Sequence, residues 1–476
     1  MVFLLKLIVP FLVLSNPNLA YANPAIATMV WEVRTAGSND NGGCYDSTAA
    51  TTDYSVQDTA QLTLTDLATS GIGITSLTSA TGGFTAAMVG NCIQIKSGTN
   101  DTPGFYKVTV YTDTNTVTLD RAPDDGVGGV SSGTGSLGGA LAHPDKADSY
   151  LSYNAGNIIY IKAGTYTGTA WSLNTNSDGG NGTPIVFEGY NTTRGDQPHD
   201  GSRPIFDGES TLADVLWTSG ANGVAFFNLV FTGGTDKGIQ TASSSSNKLF
   251  FFNVRSHNNG SDGVFNEATA YFIGCELDNN GSDGFVIQND RTSMFFYSYI
   301  HNNTDAGVYS ISGGVPNVIN SIFSTNGSSG LDTANNHFNY IVNSIAWNNT
   351  TNGIKTNPSA RSDILINHIY NNIIEDNGTY GISFGDTDFF HYEDFNSFSN
   401  NTTANILNGA WGGDNDVLEN AGITATDWGL NAGSAMIDAG LDPGTFDSSI
   451  NIFYNIGLDQ ANPDAVGACV GSVIFR

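Results

Sequence analysis

The chain has 476 residues and a formal net charge of −29, with 13% of residues charged, 39% hydrophobic and 57 glycines. So acidic a balance excludes nucleic-acid binding through a general basic field. It also sets up repulsion of acidic polymers unless a cation bridges them. The apolar residues, 11% of the chain being aromatic, recur periodically, which argues for ordered β structure rather than disorder.

Residues 1–22 read as a secretory leader. Lys6 is its one charge, Leu7 to Leu14 is apolar but too short to span a bilayer, and Ala20-Tyr21-Ala22 is a small-x-small cleavage site. No later stretch has the length and apolarity of a transmembrane helix. The expected product is secreted or displayed at the cell surface, with no membrane contact after leader removal. Export permits disulfides among Cys44, Cys92, Cys275 and Cys469, and the sequence leaves three pairings open.

Residues 23–145 predict a small β domain. Val30-Trp31-Glu32-Val33 reads as a short strand, and Asn91–Ile95 alternates as strands do. Phe105–Tyr111 and Thr116–Leu119 form a hairpin about Asp113-Thr114-Asn115. The Gly-rich run Gly126–Gly139 reads as a linker or long loop, and Ala142–Asp148 as a short helix. After the stretch 155–166, strands follow at 184–189 and 204–208, with a polar loop over 190–203. That loop holds Arg194-Gly195-Asp196, a tripeptide too short to be specific.

From residue 228 to 401 one phrase returns: His257-Asn258-Asn259-Gly260, Asp278-Asn279-Asn280-Gly281, His301-Asn302-Asn303 and four later variants. The second Asn falls at 259, 280, 303, 326, 349, 377 and 401, in steps of 21, 23, 23, 23, 28 and 24. Such a period marks a solenoid, here assigned to 146–410. Three residues before that Asn stand Ser256, Leu277, Ile300, Phe323, Ala346 and Ile374; five before it stand Val254, Cys275, Ser298, Ser321, Ser344 and Asn372. These columns are mostly apolar or small, so they are assigned inward, Cys275 with them as a buried thiol. The Asn column is expected to stack as an amide ladder at each corner. The Gly that follows (Gly263, Gly284, Gly307, Gly330, Gly353, Gly381) is expected to supply a positive φ there.

Coils of this length, with N-N-x-x-x-G corners and Asn ladders, resemble the right-handed parallel β-helix of the pectin-lyase-like superfamily. Ala155-Gly156-Asn157-Ile158 through Tyr166 is similar to the A-G-D-T-I-x-I-x-x-G-x-Y opening coil of many secreted β-helix proteins, with Asn157 where Asp is usual. Ser434-Ala435-Met436-Ile437-Asp438-Ala439-Gly440, with Asn455-Ile456-Gly457, resembles the S-P-A-I-D-A-G … D-I-G-A ending of bacterial members. The resemblance implies an all-β fold: a right-handed parallel β-helix with a small N-terminal β domain and, over 411–476, a last coil and C-terminal cap.

With the inward columns fixed, the alternate positions face out. Arg255, His257, Glu276, Asp278, Tyr299 and His301 then form one polar patch on three successive strands, and Ile322, Ile345 and Trp347 continue it as an apolar strip. Carboxylates and imidazoles suit acid–base work on a sugar polymer, and Tyr299 and Trp347 suit stacking on sugar rings. The resemblance to polysaccharide lyases of this fold adds further roles. Glu276 and Asp278 would hold calcium (Ca2+), the one cofactor implied, and Arg255 or His257 would be the base, with His301 beside them. Hydrolysis would need paired carboxylates, for which Asp278 with Glu276 or Asp262 is nearest. The familiar polygalacturonase motifs and the pectate-lyase W-I-D-H motif are missing. The patch also has a plain structural account: an Arg255–Glu276 cross-strand ion pair, and an apolar strip lying under a loop or a neighbouring molecule.

Two functions stay open on this reading. One is a secreted protein binding extracellular polysaccharide, as a polysaccharide lyase or glycoside hydrolase. The other is a non-catalytic adhesin, matrix component or fibre subunit, self-associating through its coil ends.

Overall fold

The computed structural model describes residues 29–148, 155–173, 184–198, 200–242, 248–334, 338–357, 366–385, 390–408, 411–421, 423 and 428. The leader, Cys469, and the 434–440 and 455–457 motifs lie outside the described residues.

The repeats wind into a three-sided solenoid. Each coil contributes one strand to a 13-stranded sheet and one to each of two 10-stranded sheets. In one coil these are Thr269–Ile273, Glu276–Asp278 and Phe285–Ile287; the next coil begins at Thr292–Phe296. We call the three the long, second and third sheets, in that order around a coil. Pairing between coils is parallel and in register, as in Arg255↔Glu276↔Tyr299↔Ile322. The inward columns hold: Ser256, Leu277, Ile300, Phe323, Ala346 and Ile374 are buried, as are Val254, Cys275 and the serines that follow. Phe226, Phe251, Phe272 and Phe295 stack along the same core on the long-sheet side, with ring centroids 5.0, 4.7 and 5.5 Å apart.

The Asn ladder forms as expected. The Asn259 amide donates to Asn280 Oδ1 at 3.0 Å, Asn280 to Asn303 at 2.9 Å, Asn303 to Asn326 at 3.1 Å, and the series continues to Asn401. Each of these oxygens also takes the backbone N–H of the Asn one coil earlier, as Asn303 Oδ1 takes Asn280 N at 3.2 Å. The expectation for the corner glycines is corrected. The left-handed residue is the one before the ladder Asn: Asn258, Asn279, Asn302, Thr325, Asn348, Asp376 and Asn400, with φ between 52° and 58°. Asn is the non-glycine residue that adopts this conformation at least cost. The glycines serve close approach instead. A Cβ on Gly307 would sit 2.5 Å from the Gly330 carbonyl oxygen and 2.8 Å from the Asn326 amide.

The N-terminal region divides between two structures. Six strands between Leu62 and Leu137 close into an antiparallel barrel with its own core. The strand Met29–Val33 belongs to the solenoid, pairing in parallel with Ile158–Lys162; Cys44–Asp46 pairs antiparallel on its other side and covers that edge. A Cys44–Cys92 disulfide joins this edge to the barrel, and Cys275 is a free buried thiol. The Gly-rich run is not a linker. Ser131–Leu137 is a barrel strand held between Leu62–Ala68 and Cys92–Thr99. Glycine is needed there because a Cβ on Gly135 would lie 2.6 Å from the Gln94 carbonyl oxygen. The Arg194-Gly195-Asp196 loop is a strut: Arg194 pairs with the buried Glu32 at 2.7 Å and with Asp53 at 2.9 Å.

Replacing a ladder Asn removes several buried hydrogen bonds at once, whereas its left-handed neighbour needs only a residue tolerant of positive φ. Asn303→Ala should cost about 2–4 kcal/mol in urea unfolding, and Asn302→Gly should stay within about 1 kcal/mol of the parent. Equal costs for the two would refute this division of labour.

Candidate functional site

The polar patch assembles on the outer face of the second sheet. Arg255 lies beside Glu276 and Tyr299, and His257 beside Asp278 and His301. Arg255 grips Asp278 with a fork: Nε to Oδ1 and Nη2 to Oδ2, both at 2.8 Å. Its Nε lies 3.4 Å from Glu276 Oε2, and His301 Nε2 lies 3.3 Å from Glu276 Oε1. The Tyr299 ring stacks on His301 at 3.8 Å. Burial alone would raise the Asp278 pKa, but the Arg255 fork, with His301 and His257, holds it below the usual range. Burial and the Arg255 charge push His257 down, so it is neutral at pH 7.

This geometry changes the roles assigned from sequence. An arginine forked to a carboxylate with no exposed surface is that carboxylate's counter-ion, not a free base. His257 is the group of the patch suited to accept a proton. Glu276, Asp278 and His301 bring one ligand atom each within 4.8 Å of one another. Calcium takes six to eight oxygens, whereas here one donor is an imidazole and both Asp278 oxygens are held by Arg255. The set does not fit calcium. Asp262 stands past the Asn corner, where its carboxylate accepts the Asp283 N–H. It is therefore no partner for Asp278.

From the next coil onward the same face is covered. Ile322, Ile345 and Ile373 are buried beneath Val417, Ala421, Ile423 and Trp428, which come from beyond the last coil. The Trp428 ring meets Tyr299 edge-on at 5.7 Å and Trp347 at 5.6 Å. Trp347 Nε1 also donates to Asp376 at 2.8 Å. The two aromatic residues expected to stack on sugar are thus packed against Trp428. Carboxyl groups fasten the covering segment: Ala421 N donates to Glu375 Oε1 at 2.7 Å, Asn396 N to Asp416 Oδ1 at 2.9 Å, and Asn415 N to Asp394 Oδ1 at 2.9 Å.

The third sheet presents a different outer face. Its outward column runs Trp217, Gln240, Phe265, Val286, Tyr309, Asp332, Lys355 in register. Trp217 is 46% exposed, unusual for so large an apolar side chain. Lys237 Nζ stands 5.2 Å over the Phe265 ring. Further along, Lys355 Nζ pairs with Asp332 Oδ2 at 2.8 Å, while the buried Asp332 Oδ1 has no partner. Burial raises the Tyr309 pKa, with Asp332 and Asp283 adding to it and Lys355 opposing it, so these groups act on one another. Burial pushes Asp283 up to about 7. The sequence reading missed this column because it followed alternation only up to the Asn corner. The residue two past each corner Gly was equally legible.

Residues 264–422 match the family model described as a right handed beta helix region. The repeat region is a right-handed parallel β-helix. Among solved structures this β-helix is similar to pectate lyase Pel9A (18% identity over 65% of this chain and 89% of that one, TM-score 0.48). It is also similar to the A-module of the Azotobacter vinelandii mannuronan C-5 epimerase AlgE4 (13%, 58% and 91%, TM-score 0.32). A third is the catalytic domain of a GH87 alpha-1,3-glucanase (13%, 75% and 89%, TM-score 0.24). Likeness at this level speaks to fold alone. No curated protein matches the chain.

The carboxyl fastening of the covering segment makes its attachment pH-dependent. Burial pushes Glu375 up to about 7; burial and the neighbouring Asp416 carboxyl likewise raise Glu393. Asp376 and Asp394 add negative charge around them. A carboxyl whose folded pKa lies above its unfolded value stabilises most at low pH, and the contribution fades as pH rises through the folded value. Amide exchange at Val417 and Ala421, corrected for intrinsic rate, should therefore quicken between about pH 5 and pH 8. Glu375→Gln should flatten part of the rise. Constant protection across that window would contradict the fastening described.

Proposed function

We propose that this β-helix binds an extracellular polysaccharide along the outer face of its third sheet. Tyr309, Asp332 and Lys355 offer acid–base groups at one end of that strip. The observation that carries the reading is the outward column beginning at Trp217: an exposed indole, then the half-buried Phe265 and Tyr309, in line with the coil axis. Coils repeat at about 4.8 Å, so the column offers a periodic surface to a periodic ligand. Aromatic side chains supply flat apolar area, and the flanking carboxylates supply directed hydrogen bonds.

A second reading places the chemistry in the Arg255–Asp278–Glu276–His301 cluster, with His257 as base. The convergence of those groups within 4.8 Å favours it. Against it stand the engaged Arg255, the enclosed Asp278, and the cover that ends the face one coil later.

A polysaccharide panel, assayed with and without calcium for binding and for new chain ends, separates the two. Trp217→Ala should weaken binding by tenfold or more, on the order of 1.4 kcal/mol. Lys355→Ala should abolish any turnover. Arg255→Ala should lower stability by about 3 kcal/mol, since it strands a buried carboxylate, yet leave binding in place. Loss of binding in a folded Arg255→Ala protein, with Trp217→Ala unaffected, would move the site to the second sheet. Failure of every polymer, together with ordered filaments, would turn the account to a structural role.

A further inference from the structure

At four of its seven positions the ladder Asn is followed by glycine: Asn259-Gly260, Asn280-Gly281, Asn326-Gly327 and Asn377-Gly378. After Asn303, Asn349 and Asn401 the next residue is Thr. An asparagine before glycine carries a reaction within itself. The glycine amide nitrogen attacks the Asn side-chain carbonyl carbon, Cγ, and closes a cyclic imide. The Cγ–Nδ2 bond breaks and the nitrogen leaves as ammonia. Water then opens the imide at either carbonyl, leaving aspartate or isoaspartate. Glycine permits the attack because no side chain crowds its nitrogen, whereas the branched Thr hinders it. The fold withholds both reactants. The four Asn are 0–3% exposed. Asn280 Nδ2 donates to Asn303 Oδ1 at 2.9 Å and to the Ser256 carbonyl at 3.3 Å, while its Oδ1 accepts from Asn259. Each attacking nitrogen is committed as well: Gly260 N donates to the Gly234 carbonyl at 2.8 Å, Gly281 N to Asn259 at 2.9 Å, Gly327 N to Asn303 at 2.8 Å and Gly378 N to Asn349 at 2.9 Å. Imide closure must break both sets of bonds, so it requires the coil to part from its neighbour.

We infer that these four Asn–Gly pairs are self-modification sites held closed by the ladder, and that opening one converts it irreversibly into a residue the ladder cannot take back. Both products lack the Nδ2 donor. A carboxylate at position 280 would turn an acceptor toward Asn303 Oδ1, itself an acceptor, where the native side chain is 1% exposed. Isoaspartate also lengthens the main chain by one carbon, which moves the corner out of register with the coils on either side. The ladder is therefore a one-way latch: a coil that closes again in time is unchanged, and one that stays open is lost. Asn222-Gly223 provides a comparison within the same chain. It lies outside the ladder, between a third-sheet and a long-sheet strand, and Asn222 is half-buried. Asn222 Oδ1 accepts the Lys248 N–H at 3.1 Å, and Gly223 N donates to the Lys248 carbonyl at 3.0 Å.

The test uses the full chain in mildly alkaline buffer, either folded or unfolded in guanidinium chloride, with peptide mapping by mass spectrometry over time. In the unfolded chain the four ladder pairs should lose ammonia together with Asn222-Gly223, ahead of Asn303, Asn349 and Asn401. In the folded chain Asn222 should react first. The ladder pairs should react about a hundredfold or more slower than when unfolded, since each must wait for local opening. On removal of denaturant, unmodified chains should regain their β-sheet circular dichroism and chains modified in the ladder should not. Asn280→Asp, which installs one product directly, should lower the denaturant midpoint or prevent folding, and Asn222→Asp should keep the midpoint close to the parent's. Ladder pairs that react as fast folded as unfolded overturn the closure. Full refolding of ladder-modified chains, or a parental midpoint for Asn280→Asp, overturns the latch. Where the parent itself refolds poorly, the Asn280→Asp midpoint decides.

Discussion

The molecule depends on one repeated hydrogen bond. Each ladder Asn lends its amide to the next coil and accepts both an amide and a backbone N–H from the coil before. A buried amide left without these partners would be costly, so every coil must present its corner at the same height and angle. From Asn259 to Asn401 that register accompanies parallel pairing in all three sheets and a core where like side chains stack on like. The left-handed residue before the ladder and the glycine after it are conditions for the same bond. The first turns the chain sharply; the second leaves room for the neighbouring carbonyl.

A solenoid fixed in this way offers three outer faces, and they differ in what covers them. The second face is consumed by structure. Arg255 and Asp278 neutralise each other there, and the chain beyond the last coil folds back to bury Ile322, Ile345 and Ile373 under Trp428. The cover removes an apolar strip from water, which stabilises the later coils. On the third face the Trp217 indole is 46% exposed. Exposed aromatic area is costly in water, and the proposed ligand would cover it.

Much of this was legible in the sequence. The period gave the solenoid, and alternation gave the inward columns from Ser256 to Ile374 without error. The ladder was legible because only a side chain that both donates and accepts can stack on copies of itself. The cover was not legible: Trp428 lies some eighty residues or more beyond the strip's first coils, outside the repeat, and no local pattern announces where it folds back. That is why Trp347 read as a sugar platform and proved to be packed against another indole. The glycines at the corner read as turn formers because glycine has two uses, positive φ and close approach, and composition cannot tell them apart. The barrel strand Ser131–Leu137 was hidden for the same reason. The third-face column was present in the alternation past each corner glycine.

The central claim is that ligand binding belongs to the third face and not to the ion-paired second face. Amide hydrogen exchange with and without a bound oligosaccharide tests it most directly. The account predicts new protection over Asp214–Thr218, Val308–Ser310 and Leu331–Asp332, with Arg255–His257 and Glu276–Asp278 unchanged. Protection confined to the Arg255 and Glu276 strands would contradict it.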